Sequence, residues 1–148
     1  ERFLKRIESR LRECRISVKT SLSAAGCVLP VRRLETLLEC LTSNACEAMP
    51  QGGTLRVELL MPPDRSEVVL RISDTGAGMS DEELERAFEP FYTTKALDAA
   101  GAAAHPGLGL AVAHGIVRSL GGAVTLCSSL GEGTVCSVRV PLTGQSGT

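Results

Sequence analysis

The sequence predicts a two-layer α/β (α+β) sandwich, a mixed and largely antiparallel sheet packed on helices along one face. Three observations carry that prediction. Strand-like segments arrive in pairs, helical segments fall between the pairs, and no strict strand–helix–strand alternation runs through the chain. The 148 residues are the size of one domain, and 43% hydrophobic against 22% charged residues is a globular composition rather than a disordered one.

The elements follow in order. Residues 1–13 read as a leading helix, because Phe3, Leu4, Ile7 and Leu11 recur at spacings of three and four among charges. Ile16, Val18 and Thr20 alternate as a strand, and Ala25-Gly26 turns the chain into Cys27-Val28-Leu29. Pro30 marks the start of a long helix over residues 31–49. Its Leu34, Leu37, Leu38, Leu41, Ala45 and Ala48 fall on one arc at about 100° per residue, a core-facing stripe. Pro50-Gln51-Gly52-Gly53 ends it. Leu55, Val57, Leu59 and Met61 then alternate with polar residues, Pro62-Pro63-Asp64 turns, and Val68, Leu70 and Ile72 repeat the pattern, which predicts an antiparallel pair.

Beyond the glycine cluster Asp74-Thr75-Gly76-Ala77-Gly78-Met79, Ser80 and Glu83 have the spacing of a capping box for a short helix reaching Ala87. Residues 96–106 carry little charge and no periodic apolar face, which marks a loop. Gly107-Leu108-Gly109-Leu110 opens a further helix that Gly121-Gly122 stops. Two closing strands, AVTLCSS and TVCSVRV, flank a Leu-Gly-Glu-Gly turn, and residues 143–148 read as a frayed tail.

Composition excludes several classes of function. With 16 Lys+Arg against 17 Asp+Glu the chain lacks the basic stripe of a nucleic-acid binder, and 3% aromatics without Trp offer no base-stacking platform. No apolar run approaches the ~18 residues of a membrane span, and the charged start ERFLKRIESR is unlike a signal peptide, so a soluble, cytoplasmic domain is expected. The six cysteines, at 14, 27, 40, 46, 127 and 136, show no C-x-x-C spacing and are expected to be buried free thiols.

Three places carry chemistry. Asn44 interrupts the edge of the long helix's apolar arc, where a neutral amide suits either a hard cation or a local hydrogen bond. Asp74 stands at a strand end ahead of Gly76 and Gly78, an arrangement that serves equally for a ligand amine or for a plain Asx turn. Gly107-Leu108-Gly109 precedes a helix whose free N–H groups suit phosphate or simple packing. His105 and His114 read as ordinary loop and helix residues, because no nucleophile–base pair assembles around either.

Taken together and in order, these segments resemble the ATP-binding catalytic domain of sensor histidine kinases, in the superfamily shared with DNA gyrase. LLECLTSNACEAM (37–49) is similar to that family's N box, DTGAGM (74–79) to its first glycine box, FEPFYTTK (88–95) to its F box and GLGL (107–110) to its second glycine box. The resemblance covers about residues 14–142 and implies a Bergerat sandwich. It implies that Asn44 coordinates Mg²⁺, that Asp74 binds the adenine of ATP in a pocket shaped by Gly76 and Gly78, and that Thr134 stands near the adenine. Gly107, Leu108 and Gly109 would bring backbone amides to the phosphates, with Lys95 adding charge. Residues 96–106 would form the ATP lid, with Phe88 and Phe91 at its base.

The resemblance further implies transfer of the γ-phosphoryl group to a histidine on a separate dimerisation domain, with a response regulator downstream. Neither His105 nor His114 stands in the H-[ED]-x-x-x-P setting of such an acceptor, so the acceptor is expected upstream and residues 1–13 as the stub of that connection. The isolated domain is expected to be monomeric and the full-length protein homodimeric. Two positions depart from the family pattern: Cys40 replaces a second Asn four residues before Asn44, and His105-Pro106 replaces the opening of G-x-G-L-G-L. Both bear on catalytic rate more than on nucleotide binding. They motivate an alternative, a degenerate domain that uses little or no ATP and docks a response regulator.

Overall fold

A computed structural model describes residues 2–23, 30–89 and 109–142. The elements are α1 (Arg2–Glu13), β1 (Ile16–Leu22), α2 (Val31–Ala48), β2 (Gly53–Leu60), β3 (Glu67–Asp74), α3 (Asp81–Arg86), α4 (Gly109–Ser119), β4 (Ala123–Ser129) and β5 (Gly133–Pro141). The expected strand at 27–29, the loop at 96–106 and the tail at 143–148 lie outside the described residues.

The sheet has the order β1-β2-β3-β5-β4. β1 runs parallel to β2 in the register Ile16↔Gly53, with α2 as the crossover between them. The other three pairings are antiparallel, so the sheet is mixed and largely antiparallel, as the paired strands predict. Alternation then decides the faces. Leu55 and Val57 of β2, Leu70 and Ile72 of β3, and Cys136 and Val138 of β5 are buried and join one core. From the helix layer, Leu37, Leu41 and Ala45 of α2 and Ala113 and Val117 of α4 fill the same core. The predicted α2 stripe is buried at Leu37, Leu38, Leu41 and Ala45, with Leu34 packed at its margin; Ala48 is only half-buried, and Met49, just past the helix, takes the core place beyond Ala45.

The capping box forms as its spacing requires: Glu83 N–H donates to Ser80 Oγ at 3.2 Å, and Ser80 N–H donates to Glu83 Oε2 at 2.9 Å. α1 belongs to the same packed body, because Leu11 is in the core and Arg6 meets Glu39 of α2 at 2.8 Å. No helix among the described residues is long and apolar enough to cross a membrane.

The cysteine expectation needs correcting. Of the described cysteines all are free, but only Cys136 is buried; Cys40 and Cys46 are half-buried, and Cys14 and Cys127 are exposed. Cys14 follows the last turn of α1, and Cys127 occupies an outward position in the strict alternation of edge strand β4. Segment type alone does not bury a small apolar residue; its phase does.

Candidate functional site

The site grows from one row of three residues across three strands. Asp74 ends β3 opposite Thr134 of β5, and Thr134 in turn faces Ser128 of β4. Directly opposed residues share a sheet face, and this row continues the inward face of Ile72 and Cys136, toward the helices. Thr134 is buried. Asp74 Oδ1 accepts the Gly76 N–H at 2.9 Å, and the Thr134 backbone N–H supports the carboxylate from β5. Burial nevertheless pushes the Asp74 carboxyl above its ordinary value, only partly opposed by those two N–H groups. It is a half-buried carboxylate held by backbone N–H groups.

The loop after Asp74 is fastened on three sides. Ala77 N–H donates to Ala48 O of α2 at 3.1 Å, and Gly131 N–H of the β4–β5 turn donates to Ala77 O at 2.7 Å. Met79 N–H donates to Ser128 Oγ at 2.8 Å. This tightness explains both candidate glycines. A Cβ at Gly76 would stand 2.5 Å from the Ala48 carbonyl oxygen. Gly78 has a φ of 70° and a Cβ there would strike the Ser129 carbonyl oxygen. The loop is thus a junction of α2, β3 and the β4–β5 hairpin.

Asn44 lies one helical turn, about 6 Å, before Ala48 and is half-buried. Both carboxylate oxygens of Glu47, on the next turn of α2, are shielded from solvent. An amide oxygen and a carboxylate at i and i+3 are the hard donors a small divalent cation takes, so the chemistry of this stretch fits Mg²⁺. Cys40 does not add to that set. Burial and the neighbouring Glu39 charge raise its thiol above the usual value, which keeps it protonated. Glu39 itself is turned to Arg6 of α1.

α4 begins beside α2: a Cβ on Gly109 would lie 3.8 Å from the Cys40 carbonyl oxygen. His114, farther along α4, stacks on Phe88. The structure therefore brings together Asp74, Gly76, Gly78 and Thr134, with Asn44 and Gly109 on the adjoining helices. Lys95, Gly107, Leu108, Phe91 and His105 lie outside the described residues. Sequence reading missed Ser128, whose bond to Met79 spans 49 residues, and Glu47, whose burial follows from the phase of α2.

Comparison with known proteins adds an independent line. Residues 30–144 match the family described as histidine kinase-, DNA gyrase B-, and HSP90-like ATPase. The chain is 35% identical over 114 residues to the sensor kinase CckA of Brucella abortus (strain 2308), covering 68% of this chain and 12% of that protein. It is 36% identical over 110 residues to the sensor histidine kinase ZraS of Salmonella typhimurium (strain LT2), covering 74% of this chain and 22% of that protein. The chain thus spans less than a quarter of the length of these relatives. Among solved structures, the catalytic domain of histidine kinase ThkA superposes with a TM-score of 0.77 at 20% identity, over 97% of this chain and 94% of that one.

Proposed function

Because this chain belongs to the histidine kinase-, DNA gyrase B- and HSP90-like ATPase family and is an ATP-binding catalytic domain of the sensor histidine kinase type, we propose that it holds Mg²⁺-ATP at the Asp74 junction and donates the γ-phosphoryl group to a histidine on a dimerisation domain. The single observation that carries the reading is the desolvated Asp74 carboxylate set between Thr134 and a close-packed glycine loop. Such an acceptor, held by backbone N–H groups on one side, presents its free lone pairs to an exocyclic amine, as adenine offers. Gly76 and Gly78 let the backbone close around the base.

Asn44 would hold Mg²⁺, with Glu47 supplying negative charge nearby. Bound there, the ion neutralises phosphate charge, which a chain of net charge −1 does not otherwise do. Gly109 and its neighbours Gly107 and Leu108 would present amides to the phosphates, and Lys95 a further positive charge. Phosphoryl transfer asks mainly for positioning and electrostatic stabilisation, so this set suffices without a covalent catalyst. The acceptor histidine, a response regulator, homodimerisation of the full-length protein and a cytoplasmic setting belong to the same proposal.

Isothermal titration with a non-hydrolysable ATP analogue and Mg²⁺ tests the binding step. Wild type is expected to bind and Asp74→Ala to bind at least tenfold more weakly; no binding, or equal binding, would sink the proposal. Incubating a chain that includes the dimerisation domain with labelled ATP tests the transfer step, where acid-labile, base-stable label is expected.

A further inference from the structure

Ser128 is the most heavily engaged side chain at the junction, and counting its protons leads to a consequence for base selection. Its Oγ accepts the Met79 N–H at 2.8 Å, lies 2.9 Å from the Gly133 carbonyl oxygen and lies 2.8 Å from Thr134 Oγ1. A serine hydroxyl has one proton and two lone pairs. The Gly133 carbonyl can only accept, so it takes the serine proton. Met79 N–H occupies one lone pair. The remaining lone pair must then receive the Thr134 proton, which settles the direction of the hydroxyl–hydroxyl bond.

Thr134 is thereby left with lone pairs only for any ligand. It stands directly opposite Asp74, whose carboxylate is likewise an acceptor. Two fixed acceptors side by side select a group that donates twice. The 6-amino group of adenine does so; the 6-oxo group of hypoxanthine or guanine turns a lone pair toward Thr134 and meets repulsion. We propose that Ser128 is a positioning residue for base selection, orienting the Thr134 hydroxyl so that the Asp74–Thr134 pair discriminates a 6-amino purine from a 6-oxo purine. The inference rests on the nucleotide site proposed above and adds to it a residue that touches no ligand.

The test is the ratio of ATP to ITP affinity, measured by titration calorimetry with Mg²⁺ on the 148-residue chain and its variants. Ser128→Ala frees the Thr134 hydroxyl to rotate and donate to a 6-oxo group, and the ratio is expected to fall about five- to tenfold. Loss of the Met79 anchor alone would weaken both nucleotides together and leave the ratio unmoved, so the ratio separates orientation from scaffolding. Ser128→Thr keeps the hydroxyl and should keep the wild-type ratio. Thr134→Val should lower the ratio like Ser128→Ala, since it removes the acceptor itself. If Ser128→Ala does not fold, Ser128→Cys carries the same expectation, because a thiol is a poor partner for all three contacts. An unchanged ratio in a Ser128 variant that still binds ATP overturns the inference and leaves the nucleotide site standing. A wild-type chain that binds neither nucleotide overturns the site as well.

Discussion

The ring of Phe88 stacks on the imidazole of His114, centroids 4.9 Å apart and planes inclined by 29°. The contact ties the turn after α3 to α4, two segments that share no strand pairing. Stacked aromatic pairs contribute about 1 kcal/mol beyond their burial, and α3 itself has no buried residue to hold it down. Either Phe88→Ala or His114→Ala should therefore speed hydrogen exchange across residues 81–89 with little change in the sheet. A double-mutant cycle that finds the two substitutions additive would show that the stack holds nothing.

Asp74 carries a stability cost within the fold. Its raised pKa means the folded state takes up a proton more readily than the unfolded one, so the carboxylate's contribution disfavours folding above its folded-state pKa. That penalty is absent below the ordinary value of 3.8 and grows as pH rises through the interval to the elevated value. Asp74→Asn should accordingly raise the thermal midpoint at neutral pH and lose the advantage in acid. Its ATP affinity should drop about 10- to 100-fold, the cost of a charge-assisted hydrogen bond. A variant less stable than wild type at pH 7 would contradict the desolvation account.

Two glycines should respond in opposite directions to alanine. Gly78→Ala forces a side chain into a positive-φ position against the Ser129 carbonyl, and should cost about 1–3 kcal/mol in denaturant unfolding together with nucleotide binding. Gly115 is an exposed position within α4 with open space around its Cα. Gly115→Ala should stabilise by about 0.5–1 kcal/mol through helix propensity alone. Equal effects of the two substitutions would mean that the junction is looser than its contacts imply.

Thiol reactivity should separate the described cysteines. Cys14 and Cys127 are exposed and should alkylate first in the native protein, with half-buried Cys40 and Cys46 slower. Burial pushes the Cys136 thiol up to about 12, so it should label only on unfolding. Peptide mapping by mass spectrometry after timed iodoacetamide exposure reads the order directly; early labelling of Cys136 would place β5 outside the core.

Placing at position 40 the asparagine that the family resemblance implies isolates one catalytic question. Cys40 is a protonated, half-buried thiol and a weak partner for a hydrated cation. Cys40→Asn should increase the rate of phosphohistidine formation while leaving ATP affinity within about twofold, since Asp74 and Thr134, the residues proposed for the base, are untouched. Matched rates would mean the thiol is no handicap.

Much of this was legible in the chain because it depends on local period. Most of the α2 stripe, the β2–β3 pair and the Ser80–Glu83 box follow from side-chain spacings of two to four residues along the chain. What was not legible depends on long-range phase. Nothing near Ser128 signals that its hydroxyl will meet Met79, and Gly78 reveals its tight clearance only once Ser129 is folded over it. The outward turn of Cys127 likewise follows from the register of β4 on β5 rather than from residue type.

The placement of β5 between β3 and β4 has a bearing on synthesis. Asp74 leaves the ribosome some 60 residues before its partner Thr134. Until then β3 is an unpaired edge and its aspartate has no floor to work against. A nascent or truncated chain ending before Gly133 can own the helices, the β2–β3 pair and the glycine loop and still lack Thr134 opposite Asp74. The Asp74–Thr134 pair is completed in one step, with β5.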